Sequence, residues 1–415
     1  MSDSAVLFRV SLRQIKGGIA MKRAIFAVLL CLCAFGVLNA ADPVSEALSP
    51  FVDSGQMPGM VTVMATADDI LAVDCIGWSN VENKKPMAEN TMFWMASMTK
   101  AFVGCCAAML ADEGKLDLDA PIVTYIPEFA EIQVYKHDRD EEPLMDPGIG
   151  HITEAHKPKT PMTVRQCLCH TAGWRFVSPF QKLWGGIDCL DHQRAIASYA
   201  LMGLDWEPGE GFHYSNIGIN VAAAVVERIS GKPIEVMMQE RIFEPLGMTD
   251  TTFWPNEEQM ARIATPYEYR ADDQKLHALD RIPFLGYPYS DRTKRFAEGG
   301  GGLFASATDF VKFYQMIAGK GTYHGKQVMT EGAWKLMTSK QTPEGISKNY
   351  GFGLNVGDGD YSHGGAAGTS GNVFKSGLVT VYAVQIKDVP DHGKITDAFF
   401  KAAAEYYAEL QAAKK

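Results

Sequence analysis

The chain has 415 residues, 47% of them apolar and 21% charged, with a formal net charge of −10 at pH 7. That balance gives a globular chain long enough for a substantial core and excludes disordered and fibrous classes. An excess of acidic groups also leaves no electrostatic footprint for nucleic acid or an anionic membrane surface, which favours small-molecule or peptide substrates.

The first 40 residues read as a segment apart from the fold. Met21-Lys22-Arg23 is a basic start, residues 24–38 are an unbroken apolar run, and Asn39-Ala40-Ala41-Asp42 offers a small-residue exit. This is the layout of a secretory signal, and the run is shorter than the about 20 residues a spanning helix needs. Residues 1–40 are therefore expected to be a signal peptide and the protein periplasmic or secreted. An uncleaved anchor is the alternative, and it is the one membrane association expected. Residues 1–20 are either an upstream mis-start or a long n-region. Beyond residue 40 the chain carries 34 basic and 48 acidic residues, or −14.

Residues 59–66 and 70–78 are β-rich and separated by Ala67-Asp68-Asp69, which predicts a hairpin. Ser97-Met98-Thr99-Lys100 follows, directly before Phe102, Cys105, Cys106, Met109 and Leu110 at i, i+3, i+4, i+7 and i+8. That spacing predicts a helix with one apolar stripe, stopped by Gly114. At i and i+3 a hydroxyl and an amine share one helix face, so the amine can reach the hydroxyl it would deprotonate.

Between 115 and 296, helical stretches at 217–229 and 234–243 alternate with Pro- and Gly-rich loops. The polar segment 137–161 has no period and reads as a surface excursion. Strands return at 350–356, 371–374 and 378–386, and 394–410 is a terminal helix. Strands at both ends around a helical middle predict an α/β (α+β) architecture. An antiparallel sheet domain flanked by helices would come from 42–115 plus 297–415, a mostly helical domain from 116–296, and the active site from their junction.

Six cysteines lie beyond the signal: Cys75, Cys105, Cys106, Cys167, Cys169 and Cys189. Cys105 and Cys106 fall in the apolar helix and read as packing residues. Cys167-Leu168-Cys169-His170 has no second ligand pair at a zinc spacing, so core packing is preferred over a metal site.

Two further elements suit the Ser97/Lys100 pair. Tyr214-Ser215-Asn216 offers a phenol that can act as a base beside an ammonium, and an amide that can hold a substrate carbonyl. His363-Gly364-Gly365-Ala366, placed before a strand, lets backbone approach a substrate, and the Ala366 amide could supply half an oxyanion hole.

Taken in order, S-x-x-K, Y-x-N and H-x-G resemble the serine β-lactamase and penicillin-binding-protein group, in its class C branch. His170-Thr171-Ala172-Gly173-Trp174, residues 298–303 and Tyr350-Gly351-Phe352-Gly353-Leu354 are similar to recurrent features of that branch. The resemblance covers roughly residues 45–410 and implies the β-lactamase/transpeptidase-like fold.

It further implies that Ser97 forms an acyl-enzyme, passing its proton to Lys100 or Tyr214, with the oxyanion on the amides of Ser97 and Ala366. Tyr214 would protonate the leaving group and then activate water, Asn216 would orient the acyl side, and His363 and Gly365 would contact substrate. No metal or organic cofactor is implied. Class C β-lactamases carry lysine at the position of His363; a histidine, with an unperturbed pKa near 6.5, binds an anion less firmly. A carboxylesterase or D-stereospecific peptidase/D,D-carboxypeptidase is thus expected, acting on a small ester, amide or D-amino-acid peptide. A class C-type β-lactamase and a non-catalytic sensor or scaffold are the alternatives, and the oligomeric state is left open.

Overall fold

The computed structural model describes residues 43–137, 152–183, 185–389 and 391–414. The predicted signal segment lies outside the described residues. Strand β1 (Gly59–Ala65) is buried along its whole length, and its pleat divides its side chains between two cores. Val61, Val63 and Ala65 belong to the larger core, Met60 and Met64 to the smaller. A period of two is what an extended backbone imposes. β2 (Ile70–Asn80) joins β1 as the expected antiparallel hairpin, with Val63 opposite Val73.

The chain leaves this sheet through β3 (Lys85–Pro86) and β4 (Met92–Trp94). It returns at β5 (Phe304–Ser306), which pairs antiparallel with β4, Trp94 opposite Phe304. Exit and return are thus clamped together immediately before Ser97. β6 (Asn355–Val356), β7 (Tyr361–Gly364), β8 (Ser370–Val373) and β9 (Val379–Ala383) then complete a seven-stranded antiparallel sheet in the order β6-β7-β8-β9-β1-β2-β3.

Helix α1 (Pro43–Asp53) lies on β2. α2 (Lys100–Asp112) is buried at every position from 100 to 110, so the stripe read from the sequence is only part of its buried surface. A helix enclosed on all sides is a core element. Phe102 sits among Phe243, Phe310 and Phe313, its ring 5.5, 5.2 and 4.2 Å from theirs. Gly114, at φ +69°, ends the helix as expected, its N–H on Ala111 O.

α3 (Asn216–Ser230) packs against α2. It starts on Ser215, whose Oγ accepts from Gly218 N–H, and stops at Gly231 in the left-handed region. The predicted helix 234–243 is observed as Ile234–Met238 running into a π-turn, Gln239–Phe243. α4 (Ala307–Ala318) crosses β1, β8 and β9, and α5 (His392–Ala413) closes against α1.

Two expectations need correction. Residues 350–354 are not a strand. Gly353 takes φ +77°, and a Cβ there would lie 2.5 Å from Lys100 O; a Cβ on Gly104 would lie 2.2 Å from Phe352 O. The segment is irregular because it runs backbone to backbone against α2. His363, expected just before a strand, itself lies at the end of one, β7, and its motif runs on into the turn before β8. The start and end of the polar excursion form a two-stranded ribbon, Val134–His137 with Ile152–His156, and residues 138–151 lie outside the described residues.

All seven strands of the sheet come from the segments assigned to the sheet domain. Residues Pro43–Lys415 form one compact unit, and the larger core draws Phe102 and Val311 from the sheet segments and Ile217 and Phe243 from the helical one. Among the described residues no helix is long and apolar enough to cross a membrane.

Candidate active site

Ser97 lies on a single 3₁₀ turn, Ala96–Thr99, between β4 and α2. From Thr91 to Lys100 it is the one residue that is not buried, so its hydroxyl is where this segment meets solvent. The turn is held from both sides: Thr99 Oγ1 donates to Ala96 O at 2.7 Å and accepts from Leu303 N–H at 3.1 Å. Ala96 sits at φ +47°, a strained position for a residue with a Cβ.

Lys100 is fully buried. Its Nζ lies 3.1 Å from Ser97 Oγ, 2.6 Å from Asn216 Oδ1 and 2.5 Å from Gly300 O. The last two partners can only accept. Nζ therefore donates to both, and its third position, an N–H of the ammonium or the lone pair of the amine, faces the Ser97 hydroxyl. The same nitrogen stands 4.7 Å from the centre of the Tyr214 ring. Tyr214 therefore approaches the pair by its ring face, and its hydroxyl lies 3.5 Å from His363 Nε2.

His363 is buried, and it does not play the cationic part that lysine plays in class C β-lactamases. Its Nδ1–H donates to Gly364 O at 2.7 Å, which leaves Nε2 to accept from Tyr350 OH at 2.9 Å. Burial, and then the charge of Lys100, push its pKa down to about 3, so the ring is neutral at working pH. It contacts the two tyrosines that it positions.

His170, at φ +62°, is also buried. It accepts from Ser215 N–H at 3.1 Å, its ring lies 4.4 Å from that of Tyr214 at a tilt of 45°, and burial with the Lys100 charge holds it neutral as well. It packs beneath the site, as the sequence suggested. Cys167 and Cys169 are buried thiols whose pKa values burial raises. Among the described residues no cluster of three or more His, Cys, Asp or Glu could hold a metal.

Gly365 backs onto the nucleophile turn: a Cβ there would lie 2.6 Å from Met95 O and 3.3 Å from Ala96 Cβ. Ala366 and Ser97 line one cavity of about 220 Å³ together with Asn216. Its walls are Trp94, Phe176, Ile187 and Phe284, and among the described residues no charged side chain lines it. The structure thus joins Ser97, Lys100 and Asn216 directly, Tyr214 through its ring, His363 through the Tyr214 and Tyr350 hydroxyls, Gly365 through backbone and Ala366 through the shared cavity.

Sequence reasoning missed the aromatic walls and the roles of Tyr350 and Gly300. Tyr350 stood in a quoted motif, but nothing in a linear motif says that its hydroxyl meets His363.

The Beta-lactamase family model matches residues 44–403. The chain is 29% identical to Protein Rv1367c of Mycobacterium tuberculosis (strain ATCC 25618 / H37Rv) over 319 residues, 73% of this chain and 75% of that one. It is 30% identical to lovastatin esterase of Penicillium rubens over 242 residues, 56% of this chain and 57% of that one. Among solved structures, unliganded simvastatin synthase (LovD) from Aspergillus terreus superposes with a TM-score of 0.73 at 22% identity, over 88% of this chain and 99% of that one. That likeness is one of fold, and it matches the β-lactamase/transpeptidase-like architecture expected from the motifs. The chain belongs to the Beta-lactamase family and is a serine hydrolase.

Proposed function

We propose that the protein is an exported carboxylesterase that acylates Ser97 with neutral esters bearing an apolar acyl group. The observation that carries this reading is the Ser97–Lys100 contact beside a cavity walled by Trp94, Phe176, Ile187 and Phe284, with no lining cation among the described residues. A D-alanyl peptide or a β-lactam brings a carboxylate, which calls for a positive partner. Here His363 is neutral, and Lys100 is buried and spent on three internal contacts. An ester asks for no such partner. The name of the Penicillium relative, lovastatin esterase, supports the same class.

In this reading Lys100 takes the proton of Ser97 as Oγ attacks the ester carbonyl. The amides of Ser97 and Ala366 receive the oxyanion. Tyr214 protonates the leaving alkoxide and then activates water for deacylation, while Asn216 orients the acyl group. Export rests on the basic start, apolar run and small-residue exit of residues 21–42.

The test is a turnover panel of nitrophenyl esters, a D-Ala-D-Ala peptide and a chromogenic cephalosporin, run with wild type and Ser97→Ala. Ester hydrolysis that disappears in Ser97→Ala is expected to dominate. Rapid consumption of the cephalosporin alone would overturn the reading.

A further inference from the structure

Glu298 is fully buried and has no part in the chemistry assigned above. It opens the run Glu298-Gly299-Gly300-Gly301-Gly302, which folds back over it: Gly302 N–H donates to Glu298 O at 2.9 Å. A Cβ on Gly300 would lie 2.6 Å from Glu298 Oε1 and 2.6 Å from Asn216 Cγ. The missing side chain at 300 is therefore what lets this carboxyl sit beside Asn216, under the carbonyl that receives Lys100.

Asn220 fixes the carboxyl, its Nδ2 donating to Oε1 at 2.7 Å while its Oδ1 accepts from Gly299 N–H. Oε2 is buried with no partner. A carboxylate in that setting is costly unless a cation compensates it. Lys100 is the cation that favours its ionised form. Asp188 opposes it but is itself paired with Arg295; the buried Tyr199 phenol, whose pKa burial and then Glu298 raise, stays neutral and shares Asn220 with it, and His170 and His363 are neutral. Burial outweighs Lys100 and raises the Glu298 pKa to about 7, so the group changes charge near neutrality.

We propose that Glu298 is a positioning residue whose carboxylate is the counter-charge for the ammonium that forms when Lys100 takes the Ser97 proton. It acts on the reaction through Lys100 and touches no substrate. The proposal rests on the reading of Lys100 as the base. Its signature is two effects together. Without the carboxylate the ammonium is less stable, so acylation slows. For the same reason the acidic limb of the acylation-rate profile moves down. A merely structural residue would lower the rate and leave the limb in place.

The experiment is the rate of labelling by a fluorophosphonate probe as a function of pH, in wild type, Glu298→Gln, Glu298→Asp and Ser97→Ala. Glu298→Gln keeps the oxygen that Asn220 holds. Its plateau is expected to fall about tenfold or more and its acidic midpoint to drop by about one pH unit. One unit below the wild-type midpoint it would then retain about fivefold more of its own plateau than wild type does. Glu298→Asp, which keeps the charge, should hold the wild-type midpoint.

Labelling that still depends on Ser97, with an unmoved midpoint in Glu298→Gln, overturns the role of Glu298 alone. Labelling that survives in Ser97→Ala overturns the Ser97–Lys100 reading itself. Should Glu298→Gln fail to fold, infrared titration of wild type and Glu298→Asp decides the matter. A buried carboxyl band that changes frequency in Glu298→Asp and is lost at or below the acylation midpoint, so that the carboxylate is present wherever the enzyme acylates, supports the proposal; a carboxyl that stays protonated through the active range overturns it.

Discussion

Asn216 Oδ1 accepts a hydrogen bond from Lys100 Nζ at 2.6 Å, across 116 positions of sequence. The contact divides the work of one amide: the oxygen holds the lysine, and the Nδ2 group is what remains for a substrate carbonyl. Removing both in Asn216→Leu costs a hydrogen bond to a group that becomes charged, about 1.5–3 kcal/mol. We expect kcat/KM to fall about tenfold to hundredfold for every ester tested. Steady-state kinetics across the panel checks this, and an unchanged kcat/KM would show that the contact is idle.

His363 links the site to acid stability. Its folded pKa of about 3 lies below that of an unfolded histidine. Between those values the unfolded chain binds the extra proton, so the stability this group contributes is complete at pH 7 and is lost as pH falls below about 6.5. By pH 4.5 the loss comes to about 2–3 kcal/mol. The titratable neighbours of the ring are Tyr350, Tyr214, Lys100, Lys348 and the neutral His170. Glutamine at 363 keeps an acceptor for Tyr350 but does not titrate. The urea midpoint of wild type, relative to that of His363→Gln, should therefore decline between pH 7 and 4.5. A constant difference would count against a buried, neutral ring.

What the sequence made legible follows from which interactions are local. The hairpin at 59–78 and helix α2 carry their periods in the residue order. Ser97 and Lys100 are three residues apart, so their contact of 3.1 Å follows from helix geometry alone. Tyr214, Asn216 and His363 were reached through motif order, which says that they converge but not how. The order could not show Tyr214 offering its ring face to Lys100, or His363 meeting the hydroxyls of two tyrosines. The second contact depends on Tyr350, at the head of the irregular 350–354 segment that runs in close backbone contact with α2 at Gly104 and Gly353. Glu298 was read only as the first residue of a glycine run, because a buried carboxyl and an exposed one look alike in a sequence.

Gly104 tests whether that backbone contact positions the base. A methyl at 104 would meet Phe352 O at 2.2 Å, and backbone on both sides has little room to yield. Gly104→Ala should destabilise the fold by about 1–3 kcal/mol and displace the first turns of α2, which carry Lys100. The Ser97 labelling rate should fall with it, measured well below the lowered melting temperature. A variant that melts early yet labels at the wild-type rate would separate helix packing from lysine placement and refute the link.

The cavity walls set the last expectation. Burying one further methylene of an acyl chain is worth about 0.8 kcal/mol, close to fourfold in kcat/KM, for as long as apolar wall is available. Wild type should therefore favour longer acyl chains up to a limit and then lose rate. Phe284 stands at that limit: it lines the cavity of about 220 Å³ and also an adjoining apolar recess bounded by Pro266, Ile282 and Ile386. It is 41% exposed and held at φ +72°, a conformation bulky residues seldom adopt. Truncation there removes a partition without emptying the core, so Phe284→Ala should cost little in melting temperature. It should move the preferred acyl length up by one or more methylenes, because the chain can then run on into the recess. Nitrophenyl esters of increasing length, compared as kcat/KM ratios within each protein, measure the shift. An optimum that stays where wild type has it would mean that the acyl group does not lie along these walls.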